Sequence, residues 1–146
     1  MKTVASILKT KAHPVVHTIA PEASVFDAVK LMADKNIGAL VVVERDEVVG
    51  IVSERDYARK IVLLARSSKD TALREVMSSP VMYVRPDQTN DECMALMTEN
   101  RLRHLPVLDG GQLVGIISIG DLVKDIISEQ QFIIEQLEHY ISGQRG

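Results

Sequence analysis

The pattern Gly-h-h-Ser-x-x-Asp, with h an apolar residue, occurs twice. Gly50-Ile51-Val52-Ser53-Glu54-Arg55-Asp56 returns as Gly115-Ile116-Ile117-Ser118-Ile119-Gly120-Asp121, a shift of 115 − 50 = 65 residues. The same shift lays Pro21 on Pro86, Leu31-Met32 on Leu96-Met97, Leu40 on Leu105, Val42 on Val107 and Val49 on Val114, with no gap from Pro21 to Tyr57. One unit written twice constrains the fold more than any local propensity. Two copies of this length do not make a solenoid; they make two small half-domains that share a core. Neither is long enough to bury much apolar surface alone, and 146 residues in total suit one ordinary domain.

Composition narrows the class. Apolar residues are 46% of the chain, yet Trp is absent and aromatic residues are 3%, so the core is aliphatic. A net charge of −3 argues against a broad basic face for nucleic acid and against a polybasic membrane anchor. The single cysteine, Cys93, excludes an intramolecular disulfide and fits a reducing compartment. The first eleven residues carry lysines throughout and no apolar core, unlike a signal peptide. No apolar run nears the length that spans a bilayer. Together these features point to a cytoplasmic protein.

Each repeat reads as strand, helix, strand, strand, helix. In the first, 15–19 is a short strand ended by Pro21. Ser24 opens a helix with Asp27 as its capping partner, Val25, Ala28, Val29, Met32 and Ala33 form its apolar stripe, and Gly38 ends it. Strands over 39–43 and 48–52 flank an Arg45-Asp46-Glu47 turn, and Ser53 caps a helix that sends Tyr57, Ile61, Val62 and Leu64 inward. The second copy repeats the order, with a strand over 82–84, a Thr89-x-x-Glu92 capping box, strands over 105–108 and 113–117, an Asp109-Gly110-Gly111 turn and a helix capped by Ser118. Short amphipathic turns, Val4-x-x-Ile7-Leu8 and Leu73-x-x-Val76-Met77, precede the repeats. The last helix carries Ile119, Leu122, Val123, Ile126, Phe132, Ile133, Leu137, Tyr140 and Ile141 on one broad face, broken once by Gln130. It is longer than its counterpart, and an apolar face that overhangs its own core usually meets another copy; folding back over its own domain is the alternative.

The chemistry concentrates in the repeated element. A Ser hydroxyl and the free N–H groups of a first helical turn form an anion site. The Asp three residues on is acceptor-only and takes two donors at once, which is what a pair of cis sugar hydroxyls offers. One turn thus has the groups to hold a ribose through Asp56 or Asp121 and a phosphate through Ser53 or Ser118, each charge-assisted bond contributing ~1.5–3 kcal/mol. The competing reading is a plain cap, worth about 1 kcal/mol. Two copies in register, each behind a Gly-led apolar strand, weigh toward a site. The cations differ between copies: Arg55 answers to Gly120, while Arg101, Arg103 and His104 stand where the first copy has Asn36, Gly38 and Ala39. If the repeats face each other about a two-fold axis, Arg55 and the Arg103-His104 pair would converge on phosphates; the alternative is ordinary surface charge, and Arg101 reads as that. His13, His17, His104 and His139 show no metal-ligand spacing with Cys93, which lies on an apolar face and reads as core. No nucleophile elbow, no phosphate-binding Gly-x-x-x-x-Gly-Lys loop and no triad spacing is present.

These residues resemble a tandem pair of CBS domains, the Bateman module. The resemblance rests on Thr18-Ile19-x-Pro21 and Tyr83-Val84-x-Pro86, on Asn36-Ile37-Gly38-Ala39-Leu40-Val41-Val42 and Arg101-Leu102-Arg103-His104-Leu105-Pro106-Val107, and on the two Gly-h-h-Ser-x-x-Asp elements, over about 4–127. It implies an α/β (α+β) fold of two β-α-β-β-α repeats packed with pseudo-two-fold symmetry, the first over 8–66 and the second over 74–131, with 132–146 as the dimer-contacting end of the long helix. It implies two clefts for adenosine-containing ligands such as AMP, ATP, S-adenosylmethionine or NAD(H). The ribose would fall to Asp56 and Asp121 and phosphate to Ser53 and Ser118. Thr18, Ile19, Gly38, Ala39, Tyr83, Val84, His104 and Pro106 would border adenine through backbone and apolar contacts. Arg55, Arg103 and His104 favour a phosphorylated ligand over the cationic S-adenosylmethionine.

The resemblance further implies a regulatory protein without a catalytic or metal centre. It would sense adenine nucleotides, pair as a homodimer and act on an unidentified effector protein, no effector domain being attached within these 146 residues. Two other readings stay open: a scaffold dimer whose clefts bind nothing, and a small enzyme that turns over a bound nucleotide.

Overall fold

A computed structural model describes residues 2–11 and 15–143, apart from the side chains of 142 and 143. His13 and the last three residues of the expected dimer-contacting segment lie outside them. The fold is mixed α and β, with a three-stranded and a two-stranded sheet, and the chain divides into two compact units.

One unit is built on the first repeat and holds 15–83 with 106–115. Its sheet runs β1 (Thr18–Ile19), β2 (Ala39–Glu44), β3 (Glu47–Ser53). β1 is parallel to β2, with Thr18 opposite Val41; β2 is antiparallel to β3, with Ala39 opposite Ser53 and Val42 opposite Gly50. Helix α2 (Val25–Lys35) buries Val25, Ala28 and Met32 against Leu40, Val42, Val52, Ile61, Leu73 and Val76. The Ser24 hydroxyl caps α2 by accepting from the Asp27 N–H at 3.0 Å. The helix ends at Asn36, not at Gly38: Asn36 takes the left-handed conformation (φ 55°), which Asn tolerates because its short polar side chain bonds locally. After β3 comes one turn, α3 (Glu54–Asp56), and then a π-helix over Tyr57–Val62. The wider turn keeps Ile61 inside but leaves Val62, Leu63 and Leu64 exposed, so two of the four expected core residues face outward.

The other unit holds α1 (Val4–Thr10), 84–105 and the chain from Ile116. Helix α4 (Asn90–Asn100) starts with a complete Thr89/Glu92 capping box and ends at Arg101, also left-handed, 65 residues from Asn36. The hairpin of β4 (His104–Asp109) and β5 (Gln112–Ser118) has only its ends in this unit, 106–115 belonging to the first-repeat unit, and β5 leads into α5 (Ile119–Gly143). The expected strands over 15–19 and 82–84 shrink to β1 and a single bridge residue, Val84.

The segments ahead of the repeats are exchanged. The 3₁₀ turn Leu73–Glu75 precedes the second repeat but binds the first: the Leu73 N–H donates to Ala23 O and the Arg74 N–H to Pro21 O. Helix α1 precedes the first repeat but binds the second: the Val4 N–H donates to Gln88 O at 2.8 Å and the Ala5 N–H to Pro86 O at 2.9 Å. The acceptors differ by the same 65 residues. Each repeat's loop presents bare carbonyls after its proline, and each is satisfied by the amphipathic turn that precedes the other repeat.

Candidate functional site

The two Ser-x-x-Asp turns fold alike. In the first, the Ser53 N–H donates to Asp56 Oδ2 at 2.9 Å and the Asp56 N–H donates to the Ser53 hydroxyl at 3.3 Å. In the second, the Ser118 N–H donates to Asp121 Oδ2 at 2.9 Å and the Asp121 N–H to the Ser118 hydroxyl at 3.1 Å. The loop before β2 or β4 is clamped to the same turn: the Glu54 N–H donates to Gly38 O at 3.1 Å, and the Ile119 N–H to Arg103 O at 2.9 Å. Both caps are complete. They engage one carboxylate oxygen of each Asp, and a carboxylate offers about four lone-pair sites, so a cap does not exhaust either group.

The first-repeat unit brings Gly38, Ala39, Ser53 and Asp56 to one end of its sheet, with Thr18 and Ile19 on the adjoining strand. Ala39 is buried. Tyr83, half exposed, and Pro106, buried, belong to this unit too. Arg55 stands in the turn, partly buried. The other unit gathers Arg103, His104, Ser118 and Asp121. Val84 is wholly buried there.

Each motif aspartate has a lysine beside it. Lys60 lies 3.3 Å from Asp56 Oδ1 and donates to Val76 O at 2.7 Å. Lys11 lies 3.0 Å from Asp121 Oδ2 and donates to Ile116 O at 2.7 Å. Lys60 was legible as an i,i+4 partner of Asp56. Lys11 had no local signal, since its partners stand 105 and 110 residues away. His104, expected among the cations, has its pKa pushed below the usual histidine value by burial; Asp121 pulls it up, and Lys11 and Arg103 add to the lowering. Burial thus favours its neutral imidazole, and the cation that the structure sets against Asp121 is Lys11.

Gly50 leads the first motif for a packing reason. A Cβ at that position would lie 2.5 Å from Met77 Sδ and 2.8 Å from its Cγ. Cys93 is buried, and desolvation pushes its thiol to about 11. Among the described residues no three His, Cys, Asp or Glu side chains form a group that could hold a metal, and no helix is long and apolar enough to cross a membrane.

The CBS-domain profile matches residues 4–63 and 73–128. The chain is 42% identical over 125 residues to the CBS domain-containing protein CBSX3, mitochondrial, of Arabidopsis thaliana, which covers 82% of this chain and 61% of that protein. It thus spans about three fifths of the plant relative. The solved structure of a protein with CBS domains from Burkholderia ambifaria MC40-6 is 60% identical, with a TM-score of 0.85 over 88% of this chain and 96% of that one. The hexameric CBS-CP12 protein from bloom-forming cyanobacteria is 33% identical, with a TM-score of 0.76 over 84% and 70%.

Proposed function

The chain belongs to the CBS-domain family, whose paired domains are regulatory modules, and on that premise we propose that it senses adenine nucleotides. The observation that carries this reading is the pair of half-buried carboxylates, Asp56 and Asp121, each fixed by a Ser N–H and each beside a lysine. That set offers acceptors to ribose hydroxyls and cations to phosphate. It favours AMP, ATP or NAD(H) over S-adenosylmethionine, whose sulfonium would meet Lys60 at the Asp56 turn or Lys11 at the Asp121 turn. Occupancy would shift shape or assembly to the extent that the ligand binds one state more tightly than the other.

Thermal unfolding with AMP, ATP, NADH and S-adenosylmethionine tests the reading. At a hundred times Kd a true ligand adds about 2.7 kcal/mol; no shift with any of the four would refute it.

The competing reading is a scaffold, favoured by the completeness of both caps. Asp121→Ala separates the two. In a scaffold it costs only stability, about 1 kcal/mol for the cap together with the Lys11 ion pair. In a sensor it also abolishes nucleotide-induced stabilisation at that site.

The same proposal includes self-pairing through α5. Its outer length carries Ile127, Phe132, Ile133, Ile134, Leu137, Tyr140 and Ile141, all exposed, and apolar faces of this extent belong at interfaces.

A further inference from the structure

We propose that Lys11, a residue outside both motifs, makes the Asp121 site select a phosphorylated ribose over a bare nucleoside. The inference rests on the nucleotide reading above. It starts from the exchange of the pre-repeat segments. Because α1 binds the loop of the second repeat, Lys11, the residue that caps its C-terminus, is delivered to the second motif. There the ammonium sits between a carboxylate, Asp121 Oδ2 at 3.0 Å, and a carbonyl, Ile116 O at 2.7 Å. Both side chains are about one fifth exposed, 19% and 21%, so their charges are less screened than a surface pair's.

Two features mark this lysine as more than a tether. First, an ammonium has three donors; the carboxylate and the carbonyl take two, and a phosphate oxygen placed beside Asp121 would take the third. Without Lys11 the phosphate would face the Asp121 carboxylate without the ammonium that now lies 3.0 Å from it. Like-charge juxtaposition of this kind is what discriminates against an anionic ligand.

Second, each motif carboxylate has a carbonyl-held lysine, and the two lysines come from unrelated positions. At Asp56 the cation is Lys60, one helical turn on, held by the Val76 carbonyl at 2.7 Å. The repeat shift puts Asp125 at the position of Lys60 (60 + 65 = 125). Asp125 is buried and committed to Asn90 and Lys2. The second copy therefore has no lysine at the position of Lys60, and the lysine that meets Asp121 comes from the segment ahead of the first repeat. A cation fixed by a carbonyl at each motif carboxylate, from two origins, is a shared requirement of both turns.

Calorimetric titration of AMP, ATP and adenosine decides the matter, in a chain carrying Asp56→Asn so that the first site is silenced. With Lys11 present, AMP and ATP should bind about tenfold or more tighter than adenosine. Lys11→Met and the uncharged but hydrogen-bonding Lys11→Gln should each bring that ratio close to one by weakening the nucleotides and sparing adenosine, while Lys11→Arg should keep it. A tether would weaken all three ligands alike or none. If the ratio survives Met and Gln, Lys11 does not select phosphate although the nucleotide reading stands. If none of the three ligands binds the unmodified chain, the nucleotide reading has failed and this inference falls with it.

Discussion

Gly50 and His104 show how much a single position decides. Gly50 has no Cβ because Met77 occupies that space. The obstructing atoms belong to a flexible thioether, so Gly50→Ala should destabilise by about 1–2 kcal/mol rather than prevent folding. In a Met77→Ala background the same change should cost almost nothing; equal costs in both backgrounds, read from urea midpoints, would mean that Met77 is not the obstacle. His104 carries a pH dependence whose sign is fixed by burial. Its folded pKa lies below the unfolded value near 6.5, so the unfolded chain binds the extra proton first. The stability is fully present above pH 6.5 and is lost as pH falls from there toward the folded pKa. Melting temperatures from pH 7.5 to 5.5 should fall, and His104→Gln should flatten that slope; an unchanged slope would clear His104. The Ser-x-x-Asp turns were legible because their bonds are three residues long. The lysines were harder: Lys60 needed only helical spacing, but Lys11 meets Asp121 through a contact that no window of sequence contains. His104 was read as a cation because its charge state depends on burial, which the sequence does not print.

At the scale of elements, the repeats were readable wherever the signal was periodic or built on turn chemistry. The hairpin turns are a case. Arg45 and Asp46 both have positive φ, 52° and 65°, as do Gly110 and Gly111 at 59° and 85°. These are the angles of the tight turn that matches strand twist. The second copy uses the residues that adopt them freely; the first does not. Asp46→Gly should therefore stabilise the fold by about 1 kcal/mol, visible as a raised urea midpoint, whereas no gain would mean that Asp46 makes a compensating bond. The first repeat's closing helix was the least legible element. Its stripe reads as α-helix, but the Leu63 N–H reaches back five residues to Ala58 O at 3.1 Å. That extra residue per turn rotates Val62 and Leu64 out of the core. Nothing local in Tyr57–Val62 announces it, because π turns are set by what the helix must pack against.

Over the whole molecule, the long helix is the part whose sequence is hardest to reconcile with a single chain. Along α5, Ile119, Val123, Ile126, Gln130, Ile133, Leu137 and Tyr140 follow each other at alternating steps of four and three, the spacing of a coiled-coil seam. Leu122 near its start is fully buried within its own unit, yet from Ile127 to Ile141 the helix is exposed. Burying one such Ile or Leu side chain contributes ~1.5–3 kcal/mol. The exposed length carries enough of them on each copy to exceed an association cost of about 4–15 kcal/mol. Light scattering should accordingly give a mass of at least two chains, and Leu137→Glu, which sets a charge in the seam, should return it to one. A monomeric parent, or an unmoved Leu137→Glu assembly, would place the partner of this face elsewhere. Gln130 sharpens the test. A lone polar residue in an apolar seam specifies register at a cost in stability. Gln130→Leu should therefore tighten the assembly, lowering the concentration at which it dissociates, while broadening the range of masses it forms. If that substitution weakens association instead, Gln130 makes a specific bond across the seam, and the pairing is polar at its centre.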